Sequence, residues 1–254
     1  MQPARAVLVE ACVDSVASAR HAGAAGASRI ELCANLVEGG VTPSLGMLAT
    51  IRERVSIPVH LLIRPRGGDF LYDEDEVRVM LRDIAECHGM GANGVVIGAL
   101  EAGGAVDREI TRRLIDAARP LTVTFHRAFD LARDAGEALE ELVALGIERV
   151  LTSGQARTAE AGIPRLARLV AAAGERIMVV AGGGIDESNA ARIVRETGVR
   201  ELHVRGSRVG PSGMKFRRDG VALGKPYQPD EYRRVETDSD RVRGIVREVV
   251  RRES

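Results

Sequence analysis

The sequence contains no tryptophan, and aromatic residues make up only 3% of its 254 residues. Proteins that bind single-stranded nucleic acid depend on aromatic side chains on which the bases stack. The 36 lysine and arginine residues equal the 36 aspartate and glutamate residues, so the formal net charge is zero. A chain without net charge has no overall field that attracts a polyanion or an acidic membrane surface. We therefore expect neither a nucleic-acid partner nor a membrane partner.

Long apolar runs are missing as well. No segment reaches the roughly 18 apolar residues of a membrane span, and the N-terminus lacks the ordered basic, apolar and small-residue regions of a signal peptide. The three cysteines, Cys12, Cys33 and Cys87, are typical of free thiols rather than of a disulfide framework. These features predict a cytoplasmic protein.

Short apolar runs recur at even intervals along the chain, and each is followed by a helical pattern of apolar residues. They are rich in Val, Ile and Leu, as expected for strands buried on both faces. The runs lie at 7–11, 29–32, 59–63, 94–97, 121–125, 149–152, 177–180 and 201–204. Strands that alternate with helices form parallel sheets with right-handed crossovers. The even spacing favours a closed (β/α)8 TIM barrel over an open, doubly wound sheet, and this places the chain in the α/β class.

The length is typical of a single barrel of this kind, so we expect residues 1–254 to form one domain. Glycine and proline interrupt the regular spacing from about residue 206. We interpret residues 206–254 as a C-terminal appendage to the barrel, with a last helix over about 230–251.

The ends of the first two strands carry the same Glu-x-Cys spacing, Glu10 with Cys12 and Glu31 with Cys33. Alternate side chains of a barrel strand point inward, and binding groups lie at the C-terminal strand ends. This places both glutamates inside the barrel and both cysteines one layer nearer its mouth. His203 of the eighth strand also faces inward, and we interpret it as a structural rather than a functional histidine. Thiolates are the ligands that Cu(I) prefers, so Cys12 and Cys33 are candidate copper ligands. The alternative is that both are small, buried apolar side chains.

A second set of polar residues follows the third and fifth strands, namely Arg64, Arg66 and His126. Because histidine titrates near neutrality, His126 is the predicted acid–base group, with Glu10 or Glu31 as its catalytic partner. The two arginines are predicted to bind a carboxylate or phosphate. The alternative is a structural network of ion pairs inside the barrel.

Three glycines at 182–184 follow the seventh strand and lead towards a helix that we expect Asp186 to cap, and Ser207 follows the eighth strand. Backbone N–H groups at such a turn bind anions with help from the helix dipole, and barrels often bind phosphate after these two strands. Gly183, Gly184 and Ser207 are therefore predicted anion-binding residues. The alternative is a tight turn that needs the positive φ of glycine.

The motifs around these residues resemble the CutC family over nearly the whole chain and in the family's order. They include IRPRGGDF at 63–70 and TFHRAFD at 124–130, with further stretches at 10–15, 29–33, 38–44, 149–154, 182–185 and 212–217. The resemblance implies a (β/α)8 barrel, a cytoplasmic homo-oligomer (a dimer or larger) and a role in copper homeostasis. It also implies copper binding through cysteines that match Cys12 and Cys33. Arg205 departs from the family, whose members often carry a small residue there.

Two functions remain open at this stage. The first is a copper homeostasis protein that binds Cu(I) in the cytoplasm through Cys12 and Cys33. The second is a barrel enzyme that acts on a small anionic metabolite, bearing phosphate or carboxylate, at the barrel mouth. A non-enzymatic scaffold is a weaker third interpretation.

Overall fold

The chain forms a closed barrel of eight parallel strands in a computed structural model that describes residues 6–218, 221 and 232–250. Each strand pairs with the next one along the chain, and the eighth pairs back onto the first. The strands are Leu8–Val13 (β1), Arg29–Leu32 (β2), Val59–Leu62 (β3), Gly94–Ile97 (β4), Thr122–Phe125 (β5), Arg149–Thr152 (β6), Met178–Gly182 (β7) and Glu201–Val204 (β8). The predicted TIM barrel is thus confirmed, and the open sheet is excluded.

Helices follow the strands and cover the outside of the barrel. They are Val16–Ala24 (α1), Leu45–Arg52 (α2), Glu74–Gly89 (α3), Arg108–Ala118 (α4), Ala135–Leu145 (α5), Ile163–Ala173 (α6), Ala190–Thr197 (α7) and Ser239–Val250 (α8). None of these described helices is long and apolar enough to cross a membrane.

Helix α3 illustrates why these segments are helical. Its first turn is closed by a capping box in which Asp73 accepts from the backbone of Glu76 and Glu76 accepts from the backbone of Asp73. Val77, Met80 and Ile84 recur at helical spacing and are fully buried against the barrel. The apolar stripe and the cap therefore orient the helix together.

The segment after β8 differs from the prediction. It contains a strand Ser207–Pro211 (β9) that pairs antiparallel with a strand Arg233–Thr237 (β10), where the sequence predicted the beginning of the last helix. The predicted start at residue 230 lies outside the described residues. Helix α8 begins only at Ser239, and it packs between α7 and α1. It therefore adds to the outer ring of helices, and the description of residues 206–254 as an appendage of a single domain stays a prediction.

The strand register determines which side chains share the barrel interior. Glu10 lies opposite Arg29 on one side and His203 on the other, and Cys12 lies opposite Glu31. Residues paired in this way point to the same face of a sheet. The register agrees with the predicted alternation, since these polar groups face inward while their neighbours along each strand pack under the helices.

Candidate functional site

Two thiols face each other near the barrel mouth. The Sγ atoms of Cys12 and Cys33 are 3.8 Å apart, and the two residues are 8% and 1% exposed. They pack in an apolar cluster with Leu62 of β3 and Val96 of β4. The predicted copper ligands are therefore brought together in a buried position that is apolar on one side.

Glu31 lies beside this pair. Its Oε1 is 3.2 Å from Sγ of Cys33, and the donor atoms of Cys12, Glu31 and Cys33 all lie within 4.8 Å of one another. Within the described part of the chain, Oε2 of Glu31 is buried without a hydrogen-bond partner. Burial raises the pKa of Glu31 to about 8, although the nearby His203 opposes this. The three side chains could hold a metal ion.

The two thiols differ in acidity. The hydrogen bond from Cys33 lowers the pKa of Cys12 to about 6, against the effect of burial, and His203 lowers it further. The same hydrogen bond, together with burial, raises the pKa of Cys33 well above its usual value. Near neutral pH the pair therefore consists of one thiolate and one thiol, and the thiolate is the form that binds metals.

His203 connects the cysteines to the glutamates. Its Nδ1 is 2.7 Å from Oε1 of Glu10 and 3.7 Å from Oε2 of Glu31. Burial alone would lower the pKa of His203, but the acidic groups around it, Glu31 and Cys12 first among them, raise it well above the usual value. The imidazole is therefore charged, and its Nδ1–H donates a hydrogen bond to Oε1 of Glu10. The donor atoms of Glu10, Glu31 and His203 also lie within 4.8 Å of one another, so a structural histidine in the sequence prediction becomes a central residue of the site.

Below this layer lies a network of ion pairs, as in the alternative that the sequence left open, but its members Arg29, Arg149 and Glu201 were not predicted. Arg29 places Nε 2.5 Å from Oε2 of Glu10 and Nη2 2.6 Å from Oε2 of Glu201, and Arg149 reaches Glu201 at 3.3 Å. Burial would raise the pKa of Glu10, but the hydrogen bond from His203 and the charge of Arg29 hold it well below its usual range. The sequence could have predicted that Arg29 and Glu201 face the interior, because each lies two residues before an inward-facing residue and residues two apart share a face of a strand.

His126 lies apart from the two glutamates. Its Nδ1 accepts from the backbone N–H of Ala128 at 3.1 Å, and its ring packs against Phe70 with centroids 4.9 Å apart. Burial, with a contribution from Arg64, lowers its pKa to about 3, so the imidazole is neutral near pH 7. The glutamates predicted as its partners contact His203 instead, and the acid–base role of His126 stays a prediction.

We expect the burial of His126 to make the protein less stable in mild acid. Its pKa is about 3 in the folded protein and near 6.5 in an unfolded chain, so as the pH falls below about 6.5 the unfolded state takes up the proton first. This group should lower the free energy of unfolding by about 2 kcal/mol between pH 7.5 and pH 5. Urea unfolding at both pH values measures the loss, which should be about 2 kcal/mol smaller in His126→Gln. Equal losses in the two proteins would contradict this assignment.

The two arginines predicted to bind an anion contact the loops around the mouth. Arg64 is buried and donates from Nη1 to the carbonyl of Gly40 at 2.8 Å and from Nη2 to that of Gly68 at 2.7 Å. Arg66 is partly exposed and forms ion pairs with Asp69, at 3.1 Å, and with Glu76. These donors hold the loops that follow β2 and β3, and anion binding by the two arginines stays a prediction.

The glycine turn after β7 is not followed directly by a helix. Gly183 and Gly184 have φ values of 105° and 70°, which only glycine adopts readily. Helix α7 begins at Ala190 with Asn189 at its N-cap, so Asp186 does not occupy the expected N-cap position. Asp186 instead accepts from the backbone N–H groups of Ser188 and Ala190 in the turn before the helix, which separates the glycines from the helix N-terminus. Ser207 begins β9. Anion binding by these residues stays a prediction without the support of a helix.

The model of the CutC family matches residues 7–208 of the chain. The chain belongs to the CutC family. The family member "Copper homeostasis protein cutC homolog" of Homo sapiens is 48% identical over 242 residues, which cover 95% of this chain and 89% of that protein. A CutC family protein of Mesorhizobium japonicum is 46% identical over 242 residues and covers 95% of this chain and 94% of its own length.

Solved structures agree with this membership. A crystal structure of CutC from Streptococcus agalactiae has a TM-score of 0.74 and 35% identity, over 78% of this chain and 97% of that one. Phosphoribosylanthranilate isomerase from Thermotoga maritima has a TM-score of 0.57 at 13% identity, over 96% of this chain and 98% of that one. At this low identity the second similarity shows the barrel fold alone.

Proposed function

We propose that the chain is a copper homeostasis protein that binds Cu(I) through Cys12 and Cys33. The 3.8 Å contact between the two Sγ atoms in a buried pocket carries the proposal. Thiolates are soft ligands and select Cu(I), whereas oxygen ligands suit harder cations. Relatives from Homo sapiens and Mus musculus are named as copper homeostasis proteins, which supports the same ligand.

The donor set favours Cu(I) over a structural zinc ion. Structural zinc sites are almost always closed by four protein ligands. Among the described residues, three donor atoms come together at the thiols, from Cys12, Glu31 and Cys33, and the nearby imidazole of His203 is charged and has no free lone pair for a metal. Leu62 and Val96 cover part of the pocket with apolar surface, which limits the approach of water as a further ligand. Two cysteine sulfurs with few other donors suit a soft ion of low coordination number, which displaces the remaining thiol proton when it binds.

A competitive Cu(I) titration without oxygen tests the proposal against a chelator of known affinity. The unmodified chain and Cys87→Ser should each bind one Cu(I), because Cys87 lies alone in α3, where its Sγ donates to the carbonyl of Asp83 at 3.1 Å. Cys12→Ser/Cys33→Ser should bind at least roughly 100-fold more weakly, since it lacks both soft ligands. Unchanged affinity of the double variant for Cu(I) would contradict the proposal.

We also propose a cytoplasmic location and a homo-oligomer, a dimer or larger. All three cysteines are free thiols, as expected in a reducing compartment. Light scattering on the purified chain measures the oligomer, and a monomer would contradict that part of the proposal.

The alternative, a barrel enzyme acting on a small anion, has less support. The Nη1 and Nη2 donors of Arg64 already contact backbone carbonyls, and its buried Nε has no hydrogen-bond partner among the described residues. The relatives from Homo sapiens and Mus musculus are named for copper homeostasis and not for a metabolite.

A further inference from the structure

The geometry of the two thiols also suits a covalent bond between them. A disulfide joins two sulfurs at about 2 Å, which is shorter than the 3.8 Å contact between Cys12 and Cys33. The strand ends that carry them are hydrogen-bonded to each other, because the N–H of Cys33 donates to the carbonyl of Val13 at 2.9 Å. The sulfurs are therefore already in contact on neighbouring strands. Because Cys12 is paired with Glu31 and Cys33 lies two positions further along, the bond requires a shift of the two strand ends as well as side-chain rotation.

We propose that Cys12 and Cys33 form a reversible intramolecular disulfide in the presence of a hydroperoxide, and that this disulfide and Cu(I) binding exclude each other. The first half stands on the geometry of the thiols alone. The second half rests on the proposed binding of Cu(I). It adds redox control to the same site.

The difference in exposure between the two thiols gives the order of the steps. Cys12 is 8% exposed and Cys33 is 1% exposed, so Cys12 meets the oxidant first. Its sulfur attacks the terminal oxygen of the hydroperoxide, the O–O bond breaks, and a sulfenic acid and an alcohol (water, from hydrogen peroxide) are formed. The sulfur of Cys33 then attacks the sulfur of Cys12, the S–O bond breaks, and the hydroxide leaves with the Cys33 proton as water. Two thiols are oxidised by two electrons, and one peroxide is reduced.

Exclusion follows from the chemistry of the ligand. The thiolate is the form of cysteine that binds metals, and a disulfide contains none. Oxidation therefore removes both soft ligands of the site at once. Reduction by a dithiol restores them through thiol–disulfide exchange.

Counting thiols in the reduced, metal-free protein tests the first half. After treatment with hydrogen peroxide and denaturation, only one of the three cysteines, Cys87, should still be alkylated, and the protein should lose about 2 Da until dithiothreitol restores all three thiols. Cys87→Ser should retain no free thiol. Cys33→Ser should stop at a sulfenic acid on Cys12, which dimedone traps, and Cys12→Ser should form no intramolecular disulfide. Three free thiols in the treated wild type, or a bond that involves Cys87, would overturn the proposal.

Cu(I) titration of the oxidised protein, freed of peroxide, tests the second half. Affinity should fall at least roughly 100-fold and return after reduction and desalting. Equal affinity of the oxidised and reduced forms would overturn the exclusion. If the disulfide forms but the reduced protein binds no Cu(I), the proposed function and the exclusion both fail, and the disulfide remains as a property of the thiol pair.

Discussion

Replacement of Arg29 by methionine should lower the free energy of unfolding by about 3 kcal/mol or more. The guanidinium of Arg29 is buried and bridges two buried carboxylates, with 2.5 Å to Glu10 and 2.6 Å to Glu201. Methionine fills a similar volume but leaves both carboxylates without their main partner. Their desolvation is then compensated only in part, by His203 and Arg149. Urea unfolding measures the loss.

Arg176→Met is the matched control for this change. Arg176 forms a two-pronged contact with Glu140, with two N–O distances of 2.7 Å, but both side chains lie at the surface. Solvent screens such a pair, so no measurable change in stability is expected. Arg29→Met/Glu10→Gln/Glu201→Gln should recover part of the loss, because the penalty comes from unpaired buried charge. Similar losses in Arg29→Met and Arg176→Met would contradict this account.

The contents of the barrel interior could be predicted to a large extent from the sequence. Side chains alternate along a strand, and closure of the barrel turns one face of every strand inward. These two facts are enough to place Glu10, Cys12, Glu31 and Cys33 in neighbouring layers near the mouth, as the structure has them. The sequence alone therefore predicts that the two thiols lie close together.

The partners of the glutamates could not be predicted in the same way. Glu10 contacts His203, which is 193 positions away, because β8 closes onto β1 with the register that sets these residues opposite each other. The stagger of a closed barrel is a property of all eight strands, and no single strand encodes it. His126 therefore seemed an equally good partner. The β9–β10 hairpin was missed for a similar reason, since the pairing of Ser207–Pro211 with Arg233–Thr237 is not local.

Gly162→Ala should also be strongly destabilising, by about 3 kcal/mol. The backbone of Gly162 has a φ of −86°, which any residue adopts, so strain in the dihedral angle is not the reason. A Cβ atom at this position would lie 1.8 Å from the carbonyl oxygen of Ser153, which follows β6. That segment cannot easily move away, because the N–H and the hydroxyl of Ser153 both donate to Asp130. The added methyl group must therefore separate the start of α6 from the end of β6.

Gly46→Ala separates this steric effect from the general effect of replacing a glycine. Gly46 lies in α2, and a Cβ atom built there meets no atom within 4 Å beyond its chain neighbours and the backbone of its own helix. Alanine loses less backbone entropy than glycine on folding, so this variant should be more stable by up to about 1 kcal/mol. Urea unfolding should therefore give changes of opposite sign for the two substitutions. If Gly162→Ala unfolds at the same urea concentration as the unmodified chain, the close approach of α6 to β6 does not contribute to the stability of the barrel.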